Sequence, residues 1–294
     1  MPSILSIDDL SESEVDRILV RAAELCTAPR AGTVRCDRML ALVFVEPSLR
    51  TRLGFAAAAA RLGWQSTNVF ELRGRSATRL ESWSDTLRTI AGYADAIVAR
   101  PGRPLGDADR TDVGDCPLIN GGDTGTAAEH PSQALIDVFA IEQLIGPIRE
   151  TSVAIVGDPR MRAVRSLLAL LARRSPAALA LVVDSDHLRE ITLPLRLESL
   201  VRLRFWETLG DVDLIYVAGI PHESLPLDRR EALLVTAEKL GKLPRRCALM
   251  SPMPVIDEMA AAVRGSARNL MYQQSQLGLY VRMAVLEHVS RESA

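Results

Sequence analysis

The 294-residue sequence predicts an α/β protein of two doubly wound parallel-sheet domains. Two observations carry that expectation. Short apolar runs with the length and residue types of buried strands recur along the chain, and most lead through Gly, Pro, Asp or Arg into a helical stretch. The pattern then restarts after Gly146-Pro147, so the chain divides there, and its length suffices for two cores of ordinary size.

The elements justify this in order. Ser6 and Ser11 open cap-like starts, and Val15, Ile18, Leu19 and Ala22 follow at helical spacing. Met39 to Val45 reads as a strand, and the alanine run Leu53 to Ala60 as a helix. Ser66 to Phe70 reads as a second strand that enters an arginine-rich polar loop, Glu71 to Leu80. Glu81 to Tyr93 is helical, with Trp83, Leu87, Ile90 and Ala91 on one face. Ala96 to Pro101 is a buried strand ending in the charged Arg100, the end at which open α/β sheets hold ligands. A short strand, Pro117 to Asn120, leads through the Gly- and Thr-rich loop 121–129 to His130-Pro131-Ser132-Gln133, which opens the helix Ala134 to Leu144.

In the second half, Ser152 to Asp158 is strand then turn, Arg162 to Arg174 a helix, and Leu179 to Val183, Leu214 to Val217 and Cys247 to Met250 further strands. Val156-Gly157-Asp158 lacks the glycine spacing of a dinucleotide site. The last helix, Gln276 to Val289, carries Leu279, Met283, Leu286 and Val289 on its apolar face. The expected boundaries are 1–145 and 150–272 for the two domains and 275–294 for the C-terminal helix.

Composition narrows the function. A content of 48% hydrophobic and 24% charged residues is that of a soluble globular protein, and a net charge of −2 gives nucleic acid or an anionic membrane nothing to grip. No run of about 18 apolar residues and no signal-like start occur, so a cytoplasmic location is expected. Cys26, Cys36, Cys116 and Cys247 are scattered without metal spacing, as idle thiols in a reducing compartment would be. Lys239 and Lys242 are the sole lysines, so work usually done by lysine falls to arginine.

The stretch with chemical content is Glu46-Pro47-Ser48-Leu49-Arg50-Thr51-Arg52. Strand, hydroxyls, guanidinium and helix start meet there, and a helix N-terminus with its unpaired N–H groups favours a phosphate. Ser48 as a plain helix cap with solvated arginines is the open alternative.

Several blocks together carry a resemblance. Phe44 to Arg52, Asp85-Thr86, Ala96 to Pro101, Ile119 to Asp123, His130 to Leu135 and Gly278 to Met283 resemble the aspartate carbamoyltransferases, in order along nearly the whole chain. The ornithine carbamoyltransferases share the phosphate motif. The resemblance implies the carbamoyltransferase fold, two α/β domains joined by interdomain helices, in a homotrimer with active sites between neighbouring subunits. It implies transfer of the carbamoyl group of carbamoyl phosphate to an amine, with no metal or cofactor in the catalytic chain.

By the same resemblance, Ser48, Leu49, Arg50 and Thr51 hold the phosphate, joined by Arg79 from the loop of a neighbouring subunit. Arg100 and His130, with Thr51, polarise the carbonyl oxygen, and Gln133 with the backbone carbonyls of Pro252 and Met253 orients the carbamoyl NH2. Catalysis falls to Arg50, Thr51, Arg100, His130 and Gln133, because preorganised donors where charge develops are the main source of rate. Glu46 and Arg162 match a pair that ties the domains on closure, and Arg162, Gly219 and Pro221 mark the acceptor side. The departures gather on that side. Gly219 and Pro221 stand where the family has the arginine and glutamine that receive the carboxylates of aspartate, and Ser251-Pro252-Met253-Pro254-Val255 replaces His-Pro-Leu-Pro-Arg. Leu49 and Arg79 also depart, Arg79 offering a planar fork where the family has a compact ammonium.

Three functions fit this split. The chain is a carbamoyltransferase, for aspartate held by substitute arginines such as Arg160 or Arg165 or for a less acidic amine. Otherwise it is a catalytically silent paralogue, or a carbamoyl phosphate-binding subunit without turnover.

Overall fold

The protein is described here by a computed structural model covering residues 3–28, 36–69, 81–194, 197, 201–203, 206–220 and 224–290. The arginine-rich loop with Arg79, and Pro221 with its two successors, lie outside the described residues. Two compact units form, Met1–Leu135 with Leu277–Ala294, and Ile136–Gln276.

The first unit carries α1 (Glu12–Thr27), β1 (Met39–Phe44), α2 (Leu49–Arg61), β2 (Gln65–Val69), α3 (Trp83–Ala91), β3 (Ala96–Arg100), α4 (Asp107–Val113), β4 (Leu118–Asn120) and the start of α5 (Pro131–Leu144). Its four strands are all parallel in the order β2-β1-β3-β4. Ile4 extends the β4 edge, its N–H donating to Leu118 and its carbonyl accepting from Asn120. Leu5, Ala41, Val43, Leu87, Ile97, Ala99 and Leu118 form one core cluster of the unit. The cap on α1 forms as the sequence implies: Ser11 and Glu14 exchange side-chain and backbone bonds, and Val15, Ile18, Leu19 and Ala22 are buried.

The second unit carries β5 (Ser152–Val156), α6 (Arg162–Arg174), β6 (Ala178–Val182), α7 (Ser185–Arg189), β7 (Val201–Leu203), β8 (Leu214–Val217), α8 (Leu227–Leu233), α9 (Ala237–Gly241), β9 (Ala248–Met250), α10 (Ala261–Arg264) and the start of α11 (Met271–Val289). Its five strands are again parallel, in the order β7-β6-β5-β8-β9. Ala154, Val156, Ile215, Val217, Leu233, Val235 and Leu249 belong to its core.

Each sheet has one place where strand order reverses, between β1 and β3 and between β5 and β8. Connections leave such a pair in opposite directions and open a crevice beyond the strand ends, where doubly wound sheets bind ligands. Phe44 is in register with Arg100 at the first, and Val156 with Val217 at the second.

Three helix starts lie three or more residues ahead of the sequence reading, and one is that of α11, which begins at Met271 instead of Gln276. α2 begins at Leu49, not Leu53, because Ser48 takes the N-cap position and Leu-Arg-Thr-Arg continues as helix. α5 begins at Pro131, a residue preorganised for the first helical position, with the His130 carbonyl accepting from Gln133 N–H at 2.9 Å. The short α4, with glycine at both caps, had no apolar periodicity to announce it.

Candidate active site

The β1/β3 crevice gathers the residues of the phosphate motif. After β1 the chain turns through Glu46 and Pro47 to Ser48, whose backbone is extended and whose side chain makes no capping bond. The simple-cap alternative therefore does not hold, and the hydroxyl is left for other use. Arg50 and Thr51 sit in the first turn of α2, among backbone N–H groups that have no partner within the helix. Leu49 points to solvent, 71% exposed, so that position can contribute only its backbone.

Arg100 ends β3, and its Nε donates to Glu46 at 3.2 Å, joining the two strand ends. The Arg50 side chain makes no ion pair or hydrogen bond with another described residue. Burial first, then the like charge of Arg100, lowers its pKa. Two guanidiniums held at the positive end of a helix repel one another, and an anion between them relieves that repulsion.

His130 faces them from the start of α5. Its Nε2 lies 3.3 Å from Thr51 Oγ1 and its Nδ1 3.4 Å from Ser132 Oγ. The ring is buried, and a methyl group on Gly122 would stand 3.3 Å from Nε2 and 3.4 Å from Arg100 Nη1. Gly122, at φ +101°, is thus both conformationally required and the floor against which the two side chains meet. Asn120 fixes that floor: its side chain accepts from Gly122 N–H at 2.8 Å and donates to the Leu5 carbonyl at 2.9 Å. The loop before His130 is anchored likewise, with Asp123 accepting from Leu105 and Glu129, and Glu129 from Ser6 and Ile7.

Burial, reinforced by the charges of Arg282, Arg100 and Arg50, pushes the His130 imidazole down to about 3. The ring is neutral at any physiological pH, so it can offer a hydrogen bond without acting as a cation. Gln133 follows in the first turn of α5, half-buried.

Sequence reasoning gave Arg282 no role. It is an arginine buried in the apolar run of α11, stacked 5.6 Å from the Phe55 ring centroid. A methyl group on Gly54 would fall 2.6 Å from its Nη1, so the bare backbone of α2 is the seat of this guanidinium. The available signal was a lone charge between Val281 and Met283 in a helix otherwise apolar on that side.

In the second unit, the β5/β8 crevice holds the acceptor-side positions. Gly219 N–H donates to Met161 Sδ at 2.9 Å and its carbonyl accepts from Asp158 N–H at 2.8 Å. A methyl group on Gly219 would stand 3.0 Å from Met161 Sδ and 3.8 Å from Glu258 Oε1. Where the resemblance expects a cation, the neighbours are thus a thioether and a buried carboxylate, Glu258, whose other oxygen accepts from Ile256 and Asp257 N–H. Arg160 is already engaged, with both carboxylate oxygens of Asp158 and with Glu190. Arg162 opens α6, half-buried. After β9, Ser251 Oγ accepts from Met253 N–H at 3.1 Å and shapes the turn that carries Pro252 and Met253.

Residues 3–143 match the family model described as aspartate/ornithine carbamoyltransferase, carbamoyl-P binding domain, which sets the class. The chain is 33% identical to the aspartate carbamoyltransferase catalytic subunit of Archaeoglobus fulgidus, over 98% of this chain and 99% of that one. Among solved structures it resembles the catalytic subunit of M. jannaschii aspartate transcarbamoylase, with a TM-score of 0.84, 31% identity and 98% of each chain covered. It also resembles the Trypanosoma cruzi aspartate transcarbamoylase solved with carbamoyl aspartate and phosphate, with a TM-score of 0.80, 25% identity and 97% and 94% covered. The chain belongs to the aspartate carbamoyltransferase family.

Proposed function

We propose that this chain is a carbamoyltransferase that moves the carbamoyl group of carbamoyl phosphate to the amine of an amino acid, with L-aspartate, giving N-carbamoyl-L-aspartate for pyrimidine synthesis, as the first acceptor to test. The observation that carries the reading is the neutral, buried His130 beside Thr51 and Arg100, with Arg50 on the first turn of α2.

In the reaction the amine lone pair attacks the carbonyl carbon, the carbon–oxygen bond to phosphate breaks, and phosphate leaves with that electron pair. The amine then loses a proton to solvent. Negative charge grows on the carbonyl oxygen and on the departing phosphate. Thr51, Arg100 and His130 answer the first, while Ser48, Arg50, Thr51 and the N–H groups of the α2 start, including that of Leu49, answer the second. Gln133 and the carbonyls of Pro252 and Met253 orient the carbamoyl NH2. Arg79 completes the phosphate site from a neighbouring subunit of a homotrimer, and Arg162, Gly219 and Pro221 border the acceptor. Among the described residues no helix is long and apolar enough to cross a membrane.

The test is carbamoyl phosphate-dependent phosphate release by the purified chain with L-aspartate and a panel of amines, with Arg50→Ala as the blank. Release that Arg50→Ala abolishes supports the reading. Binding of carbamoyl phosphate without release for any amine overturns it in favour of a binding subunit.

A further inference from the structure

A buried polar chain in the second unit leads to the turn that carries Pro252 and Met253. Asp137 on α5 is fully buried; its Oδ2 accepts from the Tyr216 hydroxyl and its Oδ1 from the Gln274 amide, each at 2.6 Å. Gln274, also buried, turns its carbonyl oxygen to Ser251 N–H at 3.0 Å. Ser251 Oγ in turn accepts from Met253 N–H at 3.1 Å. The chain thus runs from β8 through α5 and α11 to the end of β9 without a break.

Its direction follows from the contacts: both Asp137 oxygens accept, Oδ1 from the Gln274 NH2, so the Gln274 oxygen is kept for Ser251 N–H. Burial, then the negative charge of Asp137, raises the Tyr216 pKa, as expected for a phenol that stays a donor. A core needs no such device for packing alone: Asp137, Tyr216 and Gln274 replaced together by apolar groups of like shape would cost little stability.

We propose that Asp137, Tyr216 and Gln274 are positioning residues that aim the carbonyls of Pro252 and Met253 at the carbamoyl NH2. This rests on the carbamoyltransferase reading above, which gives those carbonyls that work. Asp137→Asn is the sharpest probe, being nearly the same shape. With an amide at 137, either Tyr216 or Gln274 faces a donor, or Gln274 turns over and sets its NH2 against Ser251 N–H.

The test compares two stable phosphonates that differ at one group, phosphonoacetamide and acetonylphosphonate, the second carrying a methyl where the first carries NH2. Dissociation constants for both, and for inorganic phosphate, are measured on the full chain by calorimetry. The native chain is expected to prefer the amide about tenfold, the effect of one well-made hydrogen-bond pair. In Asp137→Asn the preference is expected to fall to about twofold or less while phosphate affinity stays within about twofold. Gln274→Met, which removes the link to Ser251 outright, should do the same and guards against a folding fault peculiar to one variant. A preference kept in both variants, with only the melting temperature lowered, overturns the proposal and leaves the chain as core structure. A native protein that binds phosphate yet shows no preference overturns the proposal, since the carbonyls then have no hold on the NH2, while the carbamoyltransferase reading is decided separately by phosphate release. A shift in the ratio is a result that loss of stability alone does not produce.

Discussion

His130 carries a pH dependence whose sign is fixed by its burial. Its pKa is about 3 in the folded chain, against about 6.5 for an exposed imidazole. The unfolded chain therefore binds a proton below about 6.5 that the folded chain refuses. The stability associated with a neutral His130 is complete above that pH and is lost progressively as pH falls towards 3, by up to about 1.4 kcal/mol per unit. His130→Gln removes the titration, so between pH 7 and 5 the native chain should lose about 2 kcal/mol more than the variant in urea unfolding. Equal losses would mean that the ring is protonated in place. Glu258 offers a second prediction at this scale. Its carboxylate borders Gly219, and the proposed function puts the acceptor there, where a dicarboxylate would meet repulsion. Glu258→Gln should raise kcat/KM for L-aspartate roughly three- to tenfold, and an unchanged value would confine Glu258 to holding the 256–258 turn. The Gly219 departure was legible in the sequence, but its neighbour was not. Thirty-nine positions separate the two residues, and only the strand order of the second sheet brings them together.

At the scale of elements, α2 depends on α11 through one missing side chain. Gly54 sits mid-helix, where glycine normally costs about 1 kcal/mol relative to alanine. Propensity alone thus predicts that Gly54→Ala stabilises. The structure predicts the reverse, because the new methyl would stand 2.6–2.9 Å from three atoms of the Arg282 guanidinium, whose displacement would disturb a buried charge packed on Phe55. Gly54→Ala should lower the melting temperature by several degrees and, by moving a charge that acts on His130, reduce phosphate release at least tenfold. A more stable and fully active variant would show that Arg282 has no fixed seat. The elements themselves were largely legible. β1, β3, β5 and β8 are central strands buried on both faces, so their apolar runs are continuous, and α1 and α6 have capped or amphipathic patterns. The short α4, α7, α8, α9 and α10 were not, because helices of four to seven residues show too little periodicity, and only α7 and α9 carry side-chain caps, Asp184 and Thr236. The phosphate motif was readable because its residues adjoin in the chain. Arg282 was not, since its part depends on packing against a helix more than two hundred residues earlier.

At the scale of the whole molecule, the proposed trimer makes a prediction that no single chain can satisfy. The reading assigns His130 to the body of one subunit and Arg79 to the loop of its neighbour. His130→Ala and Arg79→Ala each disable every site of a pure trimer by removing one half of it. When the two variants are unfolded together and refolded, mixed trimers form. A site whose body comes from an Arg79→Ala chain and whose loop comes from a His130→Ala chain has both native groups. With random assembly from equal amounts, each half is intact with probability one half, so about one site in four is whole. Phosphate release should rise from the low level of either variant to about a quarter of the native rate, while variants refolded separately and then mixed stay inactive until they exchange subunits. Light scattering on the same samples should give three times the 32.1 kDa chain mass. Recovery absent from refolded mixtures of that mass would place Arg79 in the service of its own subunit. A mass of one chain with full native activity would remove the shared site altogether. Either outcome would leave the chemistry of Arg50, Thr51, Arg100 and His130 within one unit untouched, because those four groups gather on a single sheet and two helix starts of the same chain.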